Sequence, residues 1–274
     1  MYDLAEKLTE FNETGFCLIN GVLSSNECKS YKSLVKSIYP KYKKLYKTNK
    51  KPSDHGLDDK SNEELIFNLH NKDYAFVNLL DHPVSYPLVS AILKQGSFKN
   101  SEPFAYMNSA ARNVLRGFKA QQLHIDSRLP ASTFPLNVQV FWLLDNFTET
   151  NGSTRIVPKS HKIPKYPEYD KKYDDEIIIK AEKGSLFILN GGCWHGASEK
   201  KNNDDRWALI FTFGRWFLKP SFDFNKNMPR DIYDKMNDKQ KEIMGYKFNP
   251  PIDEFTRISA RSETFQEPSN YELP

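Results

Sequence analysis

Asn137-Val138-Gln139-Val140-Phe141-Trp142-Leu143-Leu144 is rich in β-branched and aromatic side chains, with no glycine or proline to break it. Such content predicts a buried strand. Similar short runs follow. Ser153-Thr154-Arg155-Ile156-Val157 is stopped by Pro158, and Glu176–Lys180 and Ser185–Leu189 flank the turn Glu182-Lys183-Gly184. Arg206–Phe213 is the last strong run. Short strands broken repeatedly by turn residues predict an antiparallel sandwich or barrel.

Outward from this region the pattern changes. Residues 3–13 predict a helix and Gly15–Asn20 a strand. Ser24-Ser25-Asn26-Glu27 predicts a helix start, because a serine side chain caps free N–H groups; that helix is expected to reach Tyr39. Residues 48–63 read as a loop, 84–95 as a helix, and 229–244 as a helix in an otherwise irregular tail. No linker divides the chain. The expectation is one domain over 1–274: a helix-rich part (1–102), a β core (103–220) and a C-terminal tail (221–274).

Composition excludes several classes. The 274 residues are 39% hydrophobic and 27% charged, with a net charge of +4. No apolar stretch approaches the roughly 20 residues needed to cross a bilayer. The start, Met1–Lys7, lacks the basic and apolar regions of a secretory signal. Cys17, Cys28 and Cys193 are odd in number and lack CxxC spacing, which argues against a disulfide framework or zinc-thiolate site and for a reducing cytoplasm. Residues 36–51 interleave lysines with Tyr39, Tyr42 and Tyr46. Such a run can bind single strands, but a solvated helix end is the simpler reading, so no nucleic-acid partner is expected.

The chemistry concentrates in a few residues. His124-Ile125-Asp126 places an imidazole and a carboxylate two apart, on one face if the segment is extended. His195 follows about seventy residues later. Two histidines and one aspartate suit non-haem Fe(II) and leave coordination positions open for a bidentate oxo-acid and O2. Arg206 lies eleven residues after His195. A guanidinium directed inside a β fold needs a partner, and a carboxylate fits its fork. Iron and Arg206 together suggest a dicarboxylic oxo-acid. Alternation along the last strand puts Ala208, Ile210 and Thr212 on one face and Trp207, Leu209, Phe211 and Phe213 on the other. Asp204 and Asp205, beside Asn202 and Asn203, read as a polar turn rather than an acid/base pair. No Ser-His-Asp triad, P-loop or GxGxxG fingerprint competes.

These residues resemble the phytanoyl-CoA dioxygenase family of Fe(II)- and 2-oxoglutarate-dependent oxygenases. Glu10–Phe16 with Ile19–Ser24 is similar to the family's opening, and Gln121–Asp126 to its first metal motif. Asn151–His161 is similar to its NG…vPGSH segment, with Lys159 in place of the usual glycine. His195 with Arg206 is similar to its distal motif, and Met244-Gly245-Tyr246 followed by Pro250-Pro251 to its tail. The resemblance implies a mainly β fold with flanking helices, a double-stranded β-helix (jelly-roll, cupin-like) barrel. It implies His124, Asp126 and His195 as iron ligands, and Arg206 as partner of the distal 2-oxoglutarate carboxylate. It also implies Gln122, Trp142 and Thr154 in the cosubstrate pocket, and His161 as a structural cap. Asp126 favours hydroxylation over halogenation, because halogenating relatives replace this carboxylate. The expected activity is hydroxylation of an aliphatic carbon, with 2-oxoglutarate and O2 consumed and succinate and CO2 released.

The substrate is bounded only as a small molecule. Arg112, Arg116, Lys119 and Arg128 lie near the metal motif, and Arg128 follows it most closely. If one faces the pocket, the substrate is anionic; otherwise all four are surface charges. Two other classes stay open: a non-redox cupin-like isomerase or epimerase that uses the metal alone, and a catalytically silent jelly-roll binding protein. Fold does not choose among them.

Overall fold

The computed structural model describes residues 2–48, 62–95, 104–130, 133–247 and 268. Helix α1 (Leu4–Thr14) begins where the Asp3 carboxylate accepts the Ala5 and Glu6 N–H groups, and ends at Gly15 with φ +90°. Glycine is required there twice. The left-handed φ disfavours any Cβ, and a Cβ would lie 2.1 Å from Cys193 Sγ. Strand β1 (Phe16–Ile19) follows. Helix α2 (Ser25–Thr48) starts with a reciprocal cap: Ser24 N–H donates to Glu27 Oε2 at 2.7 Å and Glu27 N–H to Ser24 Oγ at 3.3 Å.

Helix α2 continues beyond Tyr39, through Pro40. Proline removes one helical hydrogen bond, and tertiary contacts offset that loss. Tyr39 packs edge-on against Trp207 at 6.2 Å, Tyr42 is buried with the Lys72 ammonium 4.3 Å over its ring, and Lys36 pairs with Asp205 at 2.6 Å. Tyr39 and Tyr42 are therefore committed to packing, which suits the helix reading of this run. The side chains of 44–48, and residues 49–51, lie outside the described residues.

The remaining elements are β2 (Glu63–Phe67), α3 (Tyr74–Val77), α4 (Ser85–Leu93), β3 (Ala105–Val114), β4 (Asn137–Leu143), β5 (Thr154–Ile156), β6 (Ile177–Ile178), β7 (Leu186–Asn190), β8 (His195–Ala197), β9 (Ala208–Gly214), α5 (Phe224–Asn227), α6 (Arg230–Tyr233) and α7 (Asp238–Ile243). Six strands form an antiparallel sheet in the order β1-β7-β4-β9-β3-β2, and three form a second, β6-β5-β8. Of the tail motif, Tyr246 is buried and donates its hydroxyl to the Phe224 carbonyl at 3.1 Å; Pro250 and Pro251 lie outside the described residues.

Alternation gives the large sheet two different faces. Val138, Val140, Trp142, Leu209, Phe211 and Phe213 pack against the helices, around Phe11, Val35, Phe76 and Leu88. Phe141, Leu143, Phe187, Leu189 and Ala208 face the small sheet and meet Phe147, Ile156 and Ile179. Each such side chain, fully buried, contributes about 1.5–3 kcal/mol relative to exposure. The second face is the one that bears the site.

One expectation needs correction. The fold is not mainly β and is not a jelly-roll barrel. It is a mixed α/β fold, 29% helix and 23% strand, with two open sheets, and among the described residues neither closes. The strand β6 has two residues and β5 three, too few to carry a ladder around a barrel. Near the metal residues the chain adds only a single bridge, His124 to His195, to the edge of the small sheet rather than a continuous strand. Helical content exceeds expectation because α2 runs on and short helices fill the connections. The expected loop over 48–63 falls almost wholly outside the described residues; β2 begins at Glu63 and pairs along β3 from Glu63↔Val114 to Phe67↔Ala110.

Candidate metal and oxo-acid site

His124, Asp126 and His195 converge, with one possible ligand atom from each lying within 4.8 Å of the others. His124 is not in a strand but forms a single antiparallel bridge with His195. The His124 N–H donates to the His195 carbonyl at 2.9 Å, and the reverse bond is 3.0 Å. The bridge brings the two rings to 4.5 Å between centroids. His124 Nδ1 donates to the Gln122 carbonyl at 3.0 Å and His195 Nδ1 to the Cys193 carbonyl at 2.9 Å. Both donations fix the tautomer and leave Nε2 as a lone-pair donor. The Nε2 atoms lie 3.6 and 3.5 Å from the Asp126 carboxylate oxygens. Two imidazole nitrogens and one carboxylate on one side of an open position fit Fe(II).

Asp126 is held by the end of β7. Its N–H and that of Ser127 donate to the Gly191 carbonyl at 2.7 and 2.9 Å, and Asn137 Nδ2 donates to the Asp126 carbonyl at 3.3 Å. Gly191 is fixed by space, since a Cβ there would lie 1.7 Å from Asn137 Oδ1. Gly196 is similarly crowded, its Cβ position 3.2 Å from the carbonyls of both Gln121 and Gln122. Burial pushes the Asp126 carboxyl up, but the His195 and His124 rings outweigh it and hold the carboxyl down to about 2. Burial pulls His195 down, yet Asp126 raises it above the ordinary histidine value. His124 is lowered, first by burial and then by His195.

Arg206 precedes β9 and is 1% exposed. Its N–H donates to Asn113 Oδ1 at 2.8 Å, its Nη2 reaches Thr154 Oγ1 at 3.4 Å, and its guanidinium carbon lies 4.0 Å from the Phe147 ring centroid. Its Nε and Nη1 are buried with no partner among the described residues. Burial, aided by Arg112, pulls the Arg206 pKa down to about 9. A buried guanidinium with two orphaned donors is suited by its chemistry to receive an anion. Its fork fits a carboxylate, so the residues present suit both iron and a dicarboxylic oxo-acid.

The other expected residues divide. Thr154 is buried beside Arg206. Gln122 is exposed and its side chain turns to Asp170, accepting the Asp170 N–H at 3.0 Å. Trp142 lies on the helix side of β4, edge-on to His82 at 4.9 Å. Its neighbour Phe141 takes the inward position, because a one-residue step along a strand changes the face. Arg128 is exposed at φ +58°, and its carbonyl accepts from Tyr166 Oη at 2.8 Å. Arg112 pairs with Glu63 at 2.8 Å, while Arg116 and Lys119 are exposed. His161 bridges the Asn12 carbonyl at 3.3 Å and Cys193 Sγ at 3.6 Å, a structural role. Asp205 anchors α2 through Lys32 and Lys36, at 3.1 and 2.6 Å, rather than serving in the site. Sequence reasoning missed Asn113, Asn137, Phe147 and Gly191. Strand alternation could have found only Asn137, since it shares a face with Gln139 and Phe141.

Residues 11–208 match the family described as phytanoyl-CoA dioxygenase, a span that includes the triad and Arg206. The chain belongs to the phytanoyl-CoA dioxygenase family. Among curated proteins similar to this chain, dioxygenase FUM3 of Gibberella moniliformis is 30% identical over 181 residues, 59% of this chain and 53% of its own. Dioxygenase af480 of Aspergillus fumigatus is 22% identical over 193 residues, 69% of this chain and 60% of its own. The chain thus spans between about half and three fifths of the length of the curated relatives it matches. HygX of Streptomyces hygroscopicus, solved with nickel and 2-oxoglutarate bound, shares the fold at TM-score 0.59 and 18% identity, over 78% of this chain and 88% of that one. The epimerase SnoN from nogalamycin biosynthesis, described as non-heme and alpha ketoglutarate dependent, does so at TM-score 0.57 and 14% identity, over 77% and 82%.

Proposed function

We propose that this protein is an Fe(II)- and 2-oxoglutarate-dependent dioxygenase that hydroxylates an aliphatic carbon of a small molecule. The observation that carries the reading is the pairing of a two-His-one-Asp group with a buried guanidinium that has two unused donors. A non-redox metal enzyme would use the triad but leave Arg206 without a partner, a costly arrangement. When bound, iron and 2-oxoglutarate supply oxidative decarboxylation to succinate and CO2, coupled to oxygen insertion at a C–H bond.

The chain's own residues bind, orient and shield. His124, Asp126 and His195 hold the ion through two nitrogens and one carboxylate. Arg206, supported by Thr154 and stacked on Phe147, receives the distal carboxylate and so fixes the oxo-acid's orientation. Phe141, Ile156 and Leu189 belong to the buried apolar cluster between the sheets, which would keep water from that side of the site. Gln122 contributes its backbone carbonyl to His124. We assign no cosubstrate contact to Trp142.

The whole chain is read as one oxygenase domain acting on a small molecule in the cytoplasm. No described helix is long and apolar enough to cross a membrane, and the three cysteines are free, as a reducing compartment requires. Arg128, at the exposed end of the metal motif, is the candidate for an acidic substrate group. Arg128→Ala is expected to raise substrate KM; an equal loss of uncoupled 2-oxoglutarate turnover would remove that role.

The test is an anaerobic titration with Fe(II), then 2-oxoglutarate, following the visible metal-to-ligand charge-transfer band. The band should need both additions, vanish in His195→Ala and require far more 2-oxoglutarate in Arg206→Ala. Tight iron binding without a band would favour the non-redox metal enzyme, and no iron binding would favour the silent binding protein.

A further inference from the structure

The inward face of the large sheet carries Phe141, Leu143 and Ala208 toward Arg206, with Arg112 beside Ala208, and Asn137, Gln139 and Thr212 toward the Asp126 end. Register sets Gln139 of β4 opposite Thr212 of β9, and Thr212 opposite Asn108 of β3. Directly opposed residues have Cβ atoms about 4.5–5.5 Å apart, so the three form one row. Gln139 is two residues from Asn137 and shares its face. Because Asn137 donates to the Asp126 carbonyl, the row lies toward the Asp126 end of the site.

The hydrogen bonds of the row are incomplete. Thr212 Oγ1 donates to Asn108 Oδ1 at 3.1 Å, and Asn108 Nδ2 donates to Ser221 Oγ at 3.2 Å. Asn108 is thereby held at both ends, while the Thr212 oxygen keeps lone pairs to accept with. Gln139 is 2% exposed, and its Oε1 has no partner among the described residues. A buried acceptor without a donor is unfavourable, and its presence needs a reason.

We propose that Gln139 and Thr212 are specificity-determining residues that receive a neutral hydroxyl group of the substrate. The inference rests on the oxygenase reading and narrows its substrate to a hydroxyl-bearing small molecule. A hydroxyl gives its proton to one acceptor of the row. Neither side chain is charged, so neither would itself pair with an ammonium or carboxylate held at this depth. Arg112, on the same strand face as Asn108, is already engaged by Glu63. A plain hydrocarbon would leave Gln139 unpaired, and a site built to hydrogen-bond rejects such analogues.

The test uses the full chain loaded with Zn(II), a diamagnetic substitute for iron, and 2-oxoglutarate. Saturation-transfer NMR compares one carbon frame with four substituents: cyclohexanol, cyclohexylamine, cyclohexanecarboxylate and methylcyclohexane. Cyclohexanol should bind best, and its affinity should fall about tenfold in Gln139→Leu, the loss expected for one buried hydrogen bond. Thr212→Val should weaken it in the same direction and serves as the second variant if Gln139→Leu fails to fold. Preference for the amine, the carboxylate or the hydrocarbon, no binding by any of the four, or unchanged affinity in both variants would overturn the proposal. The iron titration separates this failure from that of the oxygenase reading: a normal charge-transfer band with no hydroxyl preference rejects the row alone.

Discussion

Protons and iron compete for the same nitrogen on His195. In the metal-free protein its pKa lies above the ordinary value because Asp126 faces it. That pairing stabilises the fold below the unfolded histidine pKa, and the contribution is lost as pH rises through the raised one. Iron has the opposite need, a neutral ring. Fe(II) affinity is therefore expected to fall as pH drops through the raised His195 pKa, with His124 protonating only at lower pH. Anaerobic titrations between pH 6 and pH 8 would read this directly (roughly the range in which histidines titrate), and a flat profile would reject it. Arg206 has a related signature. Removing a buried unpaired cation can be neutral or stabilising, so Arg206→Met should leave the melting temperature of the cosubstrate-free protein unchanged or higher. The same change should weaken 2-oxoglutarate binding by about 2–5 kcal/mol, measurable by calorimetry. At this scale the sequence was informative: His124, Asp126, His195 and Arg206 could all be named from residue type and spacing. Gln122 and Trp142 could not be placed, since side-chain direction depends on a loop contact to Asp170 and on strand register.

Two glycines show how elements position those residues. Gly196 lets β8 approach the 121–122 backbone, and a Cβ there meets two carbonyl oxygens at 3.2 Å. Gly196→Ala should widen the His124–His195 bridge and reduce Fe(II) affinity more than it reduces stability. Comparing metal titrations with denaturant midpoints would test this. Gly15 joins α1 to β1 at a left-handed φ and lies against Cys193, two residues before His195. Gly15→Ala combines backbone strain of about 1–3 kcal/mol with a direct clash, so a lowered denaturation midpoint is expected even in metal-free protein. Most elements were legible, because α1, α4, β1, β4, β7 and β9 carry strong periodicity or caps. The HxD segment was not, since one bridge pair leaves no periodic signal. The extent of α2 was not either, since Tyr39, Tyr42 and Lys36 hold it across Pro40 by contacts distant in sequence.

For the whole molecule, the metal site spans two sheets that share no strand pairing and meet through side-chain packing. His195 lies in the small sheet, and Asp126 hangs from the end of the large one. An ion held by both should lock them together. Fe(II) at one hundred times its Kd is expected to add about 2.7 kcal/mol to unfolding stability, seen as a raised melting temperature that a chelator reverses. No shift would mean that the three side chains do not bind as a unit. The barrel expectation failed at this same scale. Strand content near the site could be read from sequence, but closure depends on whether neighbouring strands pair along their length, and here the small sheet's strands are two or three residues long and stay separate from the large sheet.

The sequence by itself determined the chemistry: two imidazoles, a carboxylate and a guanidinium at spacings that suit iron and an oxo-acid. Ligand identity and donor type are local properties, so they survive without coordinates. Only the tertiary structure decided that Arg206 is buried with unused donors, that Phe141 rather than Trp142 faces inward, and that Gln139 and Thr212 form an unsatisfied row. Those facts depend on which strands pair and in what register, and on what each packed face excludes, which residues far apart in the chain settle jointly.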